Sequence, residues 1–185
     1  DISLEEVKNY YCMDKVKPLR DDLKLLLSED KRNIILHPKS RGSAREWGFS
    51  NYSRLIKMLD KDRYKIFITG SADEGVMLEE FIREHAGDVV SLVGRTSLDD
   101  LISFINNCYG LVSCSTGPLH IGAALGKRVV GIYSPMRPID PGRWGPVGVN
   151  ARYLVKEVEC DKCRYVDRCE CIESITAEEV VRELE

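Results

Sequence analysis

The sequence of 185 residues lacks any apolar run near the roughly 20 residues that a membrane-spanning helix needs. It also lacks an excess of either charge, since 27 Lys and Arg stand against 30 Asp and Glu, a formal net charge of −3. Nucleic acids and anionic membranes attract basic surfaces. Nucleic acid is therefore not an expected partner, and any membrane association is expected to be at most peripheral.

The first residues are too acidic for a secretory signal, and we therefore expect a cytoplasmic protein. Because the chain begins with Asp1 rather than Met, we also expect a piece of a longer protein or a processed product. The seven cysteines are an odd number, which fits free thiols in a reducing compartment better than a fully paired disulfide framework.

Two common nucleotide-binding fingerprints are also missing. The glycines at positions 117, 122 and 126 do not have the G-x-G-x-x-G spacing, and residues 122–127 lack the P-loop spacing with its following hydroxyl. The sequence thus argues against a Rossmann dehydrogenase and against a P-loop NTPase.

Short aliphatic runs alternate with longer amphipathic stretches between Asn33 and Tyr133. This pattern is typical of a parallel sheet with helical crossovers, buried on both faces. We therefore expect an α/β fold with a doubly wound, Rossmann-like parallel sheet. Strands are predicted at 34–37, 64–69, 89–93, 109–114 and 129–133, with helices at 50–59, 73–85, 97–106 and 118–125.

The regions on either side of this unit differ in character. Residues 1–30 are expected to form a helical lead-in from another domain, and residues 31–185 the domain itself. Prolines and glycines between 135 and 148 predict a long irregular loop, typical of a binding or lid element. The flanking predicted elements are helices at 4–10, 19–28 and 176–184 and a strand at 153–155.

Ligands of an open parallel sheet bind beyond the carboxyl ends of its strands. The loops after the first four predicted strands begin near His37, Gly70, Gly94 and Ser115. They are rich in hydroxyls, glycines and basic side chains. This set suits a phosphorylated ligand.

The loop after the fourth strand has the clearest physical mechanism. Pro118 suits the first turn of a helix, and Thr116 or Gly117 suits the cap position before it. The helix N-terminus would offer backbone N–H groups and the positive end of its dipole to an anion, with His120 in the same turn. The same residues are equally compatible with a well-capped helix that binds nothing.

Four segments together resemble family 9 glycosyltransferases, the lipopolysaccharide heptosyltransferases: HPKSRGSAREW (37–47), LVGRTSL (92–98), STGPLHIGAALG (115–126) and GIYSP (131–135). The resemblance implies the C-terminal half of a two-domain GT-B enzyme, which binds a nucleotide sugar, typically ADP-heptose. The other half would carry the catalytic base and the site for the acceptor, lipopolysaccharide core or another glycan. The chain alone is then expected to bind nucleotide weakly and to transfer no sugar.

The resemblance also implies how the donor's phosphates are held. The pyrophosphate would lie at Thr116 and Gly117, with His120 nearby, and Ser40 and Arg45 would face it from the first loop. Arg45, where the family usually has Lys, would stabilise the departing diphosphate as the catalytic residue of this half. No bound metal or other cofactor is then required. Arg45 is also compatible with a solvated charge near a helix start.

Three further positions are implied in the same way. Glu74 would accept hydrogen bonds from the ribose hydroxyls, and the backbone at Thr96 would meet the adenine edge. Ser115 stands where the family usually has Asp. Glu74 is equally compatible with an ordinary acid at a helix N-terminus. The loss of a carboxylate at Ser115 leaves a second hypothesis open, a noncatalytic nucleotide-binding module.

Four of the seven cysteines fall within twelve residues: Cys160, Cys163, Cys169 and Cys171. Four thiolates can hold structural zinc, although the second pair is spaced more tightly than usual. Disulfides and reduced thiols remain alternatives, and a zinc-stabilised scaffold with an incidental cleft is a third hypothesis for the chain. Small buried side chains are predicted for the other three, Cys12, Cys108 and Cys114.

Overall fold

The protein is built on a six-stranded parallel sheet, seen in a computed structural model that describes residues 3–158 and 168–185. The spatial order is β3-β2-β1-β4-β5-β6, and every adjacent pair runs parallel. This is the strand order of a doubly wound Rossmann sheet, so the predicted fold class is confirmed. The strands are β1 (Arg32–His37), β2 (Tyr64–Ile68), β3 (Val89–Ser91), β4 (Gly110–Cys114), β5 (Arg128–Tyr133) and β6 (Ala151–Val155).

Helices connect the strands and cover both faces of the sheet. Within the described residues they are α1 (Leu4–Tyr10), α2 (Asp21–Lys24), α3 (Phe49–Met58), α4 (Gly75–Glu84), α5 (Leu98–Asn106), α6 (Gly117–Ala124), α7 (Pro141–Trp144), α8 (Glu170–Glu173) and α9 (Ala177–Leu184). In the described ranges, no helix combines the length and the apolarity needed to cross a membrane.

Strand β1 shows why the sheet is buried on both faces. Its residues Ile34, Ile35 and Leu36 are all inaccessible to solvent. Since successive side chains of a strand point to opposite faces, Ile34 and Leu36 join one apolar cluster, with α3, α4 and α9, while Ile35 joins the other, with α5 and α6. The two clusters pack against opposite faces of the central strands. They therefore set the position of the carboxyl ends of β1 and β4.

The lead-in is less helical than predicted. The helix expected at 19–28 shrinks to α2, because the side chain of Asn33 accepts from Ser28 N (2.9 Å) and donates to Ser28 O (2.8 Å), which draws the chain toward β1. Leu23 is fully buried in the cluster with α5 and α6. Upstream, Met13 N donates to Ala124 O (2.8 Å) at the end of α6. The lead-in thus packs against the same face as α5 and α6.

Three smaller predictions are also corrected. The segment 135–148 is not irregular throughout, because Asp140 caps the short helix α7 by accepting from Gly142 N (3.0 Å), and Pro141 suits its first turn. Strand β3 ends at Ser91 rather than at residue 93, since the chain turns at Gly94 with a φ of 69°. Cys12 is exposed because it follows α1 outside both clusters, whereas Cys108 and Cys114 are buried as predicted.

Candidate functional site

A cavity of about 480 Å³ opens at the carboxyl ends of β1, β2 and β4. We call it the central cavity, and its lining includes His37, Thr69, Glu74, Thr96 and Thr116. The chain leaves β1 toward α3 on one face and leaves β4 toward α6 on the other. The cavity therefore lies at the point where the strand order reverses, which is the ligand-binding position of doubly wound sheets.

The start of helix α6 forms one wall of this cavity. Thr116 is the N-cap residue, yet its side chain makes no capping hydrogen bond to the helix. Its hydroxyl instead lies 2.7 Å from the Ser113 hydroxyl, which in turn donates to His37 O (3.2 Å). A Cβ placed on Gly117 would meet no atom within 4 Å, so the space beside this backbone is open. An anion can therefore approach the helix N-terminus closely.

Glu74 lies on the opposite side of the cavity and links the loop after β1 to the loop after β2 through hydrogen bonds. The side chain is only 3% exposed. Its Oε2 accepts from Ser71 N (2.8 Å) and Ser71 Oγ (2.9 Å), while Oε1 accepts from Arg41 N (3.2 Å). Burial opposes ionisation, but the hydrogen bonds from Ser71 outweigh it, and the pKa of the Glu74 carboxyl is lowered. An ionised carboxylate with a spare lone pair on Oε1 thus lies at the cavity.

The first loop places Ser40 and Arg45 differently. Ser40 lines the central cavity, but its hydroxyl donates within the loop, to Ala44 O (2.9 Å) and Glu46 Oε1 (3.1 Å). Arg45 is half-buried and lines a larger cavity of about 1050 Å³. Ser40 and Ser43 line both cavities, so the two spaces adjoin. The structure therefore sets Arg45 beside the central cavity rather than within its wall.

The remaining predicted positions divide in the same way. Thr96 lines the central cavity, whereas Ser115 and His120 are not among its lining residues. Ser115 lies near the Tyr133 hydroxyl, which donates to Trp144 O (2.5 Å). Burial raises the pKa of Tyr133 to about 12, against the opposing effect of the nearby Ser115 hydroxyl. His120 is half-buried, and burial lowers its pKa.

Arg41 and His37 are among the cavity residues that were not assigned a role from the sequence. Arg41 adopts a φ of 50°, which is unusual for a residue with a side chain. Its guanidinium forms an ion pair with Asp73 (2.7 Å), which joins the loop after β1 to the loop after β2. His37 is 8% exposed and lines the cavity. Its position at the carboxyl end of a predicted strand was the one signal for it in the sequence.

The predicted cysteine cluster lies partly outside the described residues, since Cys160 and Cys163 fall between 159 and 167. Cys169 is buried, with its thiol 3.4 Å from Ser134 Oγ, and Cys171 is half-buried. Across residues 3–158 and 168–185, no group of three or more His, Cys, Asp and Glu side chains is placed to hold a metal ion. A zinc site at the four cysteines stays a prediction.

The arrangement as a whole suits a ligand that carries both an anion and hydroxyl groups. The start of α6 offers positive potential and the Gly117 N–H, and the carboxylate of Glu74 offers an acceptor for hydroxyls. A volume of about 480 Å³ lies within the usual range for small-molecule and cofactor sites. This combination fits a nucleoside diphosphate.

Comparison of the sequence with known proteins gives a consistent picture. Residues 1–172 match Glycosyltransferase family 9 (heptosyltransferase). Lipooligosaccharide heptosyltransferase 2 of Haemophilus influenzae is 34% identical over 104 residues, which are 52% of this chain and 29% of that protein. Lipopolysaccharide heptosyltransferase 2 of Escherichia coli is 29% identical over 117 residues, 60% of this chain and 34% of that protein.

Solved structures agree. E. coli ADP-heptose lps heptosyltransferase II superposes with a TM-score of 0.70 at 25% identity, covering 100% of this chain and 51% of that one. E. coli heptosyltransferase WaaC with ADP shares the fold, with a TM-score of 0.66 at 20% identity, 88% of this chain and 47% of that one. The chain thus spans about half the length of these two solved proteins. Since the family match extends over nearly the whole sequence and the fold agrees, the chain belongs to glycosyltransferase family 9, the heptosyltransferase family.

Proposed function

We propose that this chain is the donor-binding half of a GT-B heptosyltransferase and that the central cavity holds the nucleoside diphosphate of its donor, ADP-heptose. The observation that carries the proposal is the meeting of the α6 N-terminus and the Glu74 carboxylate in one cavity at the switch point of the sheet. The ADP named with the solved WaaC structure supports the same ligand class.

Within this proposal, each wall binds one part of the donor. The diphosphate lies at Thr116 and Gly117, where the backbone is open and the helix dipole favours negative charge. The ribose hydroxyls donate to Glu74 Oε1, which accepts one hydrogen bond within the protein. The backbone at Thr96 meets the adenine edge from the far side of the cavity.

Arg45 acts from the adjoining larger cavity. During transfer, the bond between the anomeric carbon and the β-phosphate oxygen breaks, and its electron pair stays on the departing diphosphate. The guanidinium of Arg45 and the dipole of α6 stabilise that developing charge, so this half of the enzyme needs no bound metal for the leaving group. The acceptor hydroxyl attacks the anomeric carbon, and its proton goes to a base in the other domain.

The second candidate function, a noncatalytic nucleotide-binding module, draws support from Ser115. In place of a carboxylate, this position carries a hydroxyl that lies near the Tyr133 hydroxyl. A donor sugar that depends on a carboxylate at this site would lose that contact. Ser115→Asp in a protein with both domains separates the two functions, because a large gain in turnover indicates a decayed site and a loss indicates an altered, working site.

Further parts of the proposal concern the whole protein. The acceptor is lipopolysaccharide core or another glycan, bound by an N-terminal domain, in the cytoplasm. A structural zinc ion at the cysteine cluster stays a separate prediction. Metal analysis of the reduced protein tests it, with one zinc per chain as the supporting result and the absence of stoichiometric zinc as the contrary one.

Calorimetry with ADP tests the central proposal, and the same measurement with UDP and GDP tests which nucleobase the site prefers. In Gly117→Ala the added methyl group has room in the folded protein but occupies the space assigned to the phosphates. We expect this variant to bind ADP about tenfold more weakly or worse, since hydrogen bonds to a charged ligand are lost. Gly75→Ala is the matched control, because Gly75 also starts a helix, has no positive φ and does not line the cavity.

Three outcomes decide the matter. Tightest binding of ADP, weakened in Gly117→Ala and unchanged in Gly75→Ala, supports the donor-binding site. Equal binding by all three proteins places the nucleotide elsewhere. Absence of binding for every nucleotide at millimolar concentration contradicts the proposed function of this chain.

A further inference from the structure

The side chain of His37 lies in the floor of the central cavity, and the roles proposed above do not use it. His37 ends β1, between Thr69 after β2 and Ser113 of β4. The side chain is more than nine-tenths buried, and it lines the cavity. The small exposed part of His37 therefore faces the space where a ligand would lie.

The hydrogen bond to Thr69 determines which ring nitrogen carries the proton. His37 Nδ1 lies 2.9 Å from Thr69 Oγ1, and Thr69 is only 1% exposed. Within the described residues, Nδ1 is the hydrogen-bond partner of that hydroxyl. If Nδ1 carried the proton, the buried Thr69 hydroxyl would have no acceptor, which is costly. Thr69 therefore donates to Nδ1, and the proton of a neutral imidazole lies on Nε2.

The charged groups around the ring leave it neutral near pH 7. Burial lowers the pKa of His37, while the carboxylates of Glu74 and Glu46 counteract it. The oxygens of Glu74 accept from Ser71 and Arg41, and Glu46 accepts from Lys39 and Ser40. Neither carboxylate accepts from Nε2, nor does any other group in residues 3–158 and 168–185, so this N–H is available to a ligand.

The direction of Nε2 indicates which part of a ligand it meets. The two nitrogens of an imidazole point in nearly opposite directions, and Nδ1 faces Thr69 on the β2 side. On the β4 side, the Ser113 hydroxyl joins His37 O to the Thr116 hydroxyl at the start of α6. The α6 start is the wall that suits an anion.

We infer that His37 is a further ligand-binding residue, whose Nε2–H donates to a diphosphate oxygen of the nucleotide in the central cavity. The inference rests on the proposed function, because it takes a nucleoside diphosphate as the ligand. It adds a neutral donor from the floor of the cavity to the Gly117 N–H and the dipole at the start of α6, and all of them act on the same anion. His37 thereby favours a phosphorylated nucleoside over the nucleoside alone.

Two substitutions distinguish the roles of the two ring nitrogens. His37→Asn keeps a polar group where Nδ1 meets Thr69 and removes the one at Nε2, whereas His37→Gln places an amide N–H near Nε2 and loses the Thr69 contact. We expect His37→Asn to bind ADP about tenfold more weakly, as for loss of one hydrogen bond to a charged group. We expect His37→Gln to stay within about threefold of the unsubstituted protein, and adenosine to bind both variants equally.

Calorimetry with ADP and adenosine provides the measurement, and thermal unfolding reports on the fold of each variant. His85→Asn is the matched control, since His85 is also buried and bonded to a hydroxyl, Ser53 Oγ (2.7 Å), away from the cavity. Unchanged ADP binding in His37→Asn overturns the inference. An equal loss of affinity for adenosine also overturns it. So does a loss of ADP affinity that parallels a loss of thermal stability in both His37 variants.

The proposed function fails by a different result. If the unsubstituted protein binds no nucleoside diphosphate, both proposals fall together. If it binds ADP normally and His37→Asn does too, only the role of His37 falls.

Discussion

The hydroxyl of Thr116 lies 2.7 Å from the hydroxyl of Ser113, and this contact joins helix α6 to the central strands. Ser113 donates onward to His37 O (3.2 Å), so Thr116 donates to Ser113. All three residues are buried. The Thr116 hydroxyl thus bonds to a residue of the sheet instead of capping α6. The start of the helix faces the cavity without a side-chain cap.

Replacing Thr116 with Val removes this link. Ser113 Oγ then loses a donor in a fully buried position, and we expect the free energy of unfolding to fall by about 1–2 kcal/mol. Thr116→Ser keeps the hydroxyl and is expected to retain most of that stability. Urea unfolding of the three proteins measures the difference. Equal stability of the Val variant and the unsubstituted protein would show that the hydroxyl contact contributes nothing.

Replacing Glu74 with Gln disturbs the junction of two loops. The amide has one acceptor oxygen where the carboxylate uses two, and its NH₂ group would face the N–H groups of Ser71 or Arg41. We expect a loss of about 1–3 kcal/mol in unfolding free energy at pH 7. Glu80→Gln, at an exposed position of α4, serves as the control.

The cost of Glu74→Gln should also depend on pH. Because the pKa of Glu74 is lowered in the folded protein, its ionised form stabilises the fold above the unfolded value of 4.5. That stabilisation is lost as the pH falls through the lower, folded pKa. Urea unfolding should therefore show a gap between the two proteins that narrows in acid. A gap that stays constant would contradict the assignment.

The buried His37 and the half-buried His120 predict a loss of stability at a milder acidity. Burial lowers the pKa of His37 and of His120 below the usual 6.5. The unfolded chain then takes up protons first, so the stability present above pH 6.5 is lost as the pH falls through the folded values. Urea unfolding at pH 7.5 and 5.5 measures the effect. The doubly substituted protein with Asn at both positions should lose less, and an equal loss would refute the prediction.

Thiol reactivity should follow burial. Burial raises the pKa of Cys114 to about 12 and also raises the pKa of Cys108, whereas Cys12 is exposed. In a thiol titration of the native, reduced protein, Cys12→Ser should remove one rapidly reacting group. Cys108→Ser and Cys114→Ser should change the total only after unfolding. Rapid native labelling of either buried thiol would show that its cluster opens readily.

Much of the fold was predictable because its signals are local. The apolar runs that became β1, β2, β4 and β5 are short and nearly continuous, as strands buried on both faces must be. Pro118 indicated the start of α6 through backbone geometry alone. The family resemblance rested on the same loops and is confirmed. Residues 19–28 were predicted less well, since a side chain of β1, Asn33, ends that helix from outside.

The site depended more on tertiary structure. Sequence and resemblance together selected Ser40, Glu74, Thr96, Thr116 and Gly117, and the structure brings these five to one cavity. Local patterns do not show which hydroxyl already has a partner, because those partners lie far away in the chain.

The sequence by itself determined the fold class and which loops carry the polar residues, since hydrophobic periodicity and helix starts depend on neighbours in the chain. Tertiary structure alone decided that Arg45 lines the adjoining cavity, that Ser115 lies near the Tyr133 hydroxyl, and that His37 lines the central cavity. Those placements depend on strand order and on contacts between distant segments, which packing of the two apolar clusters sets.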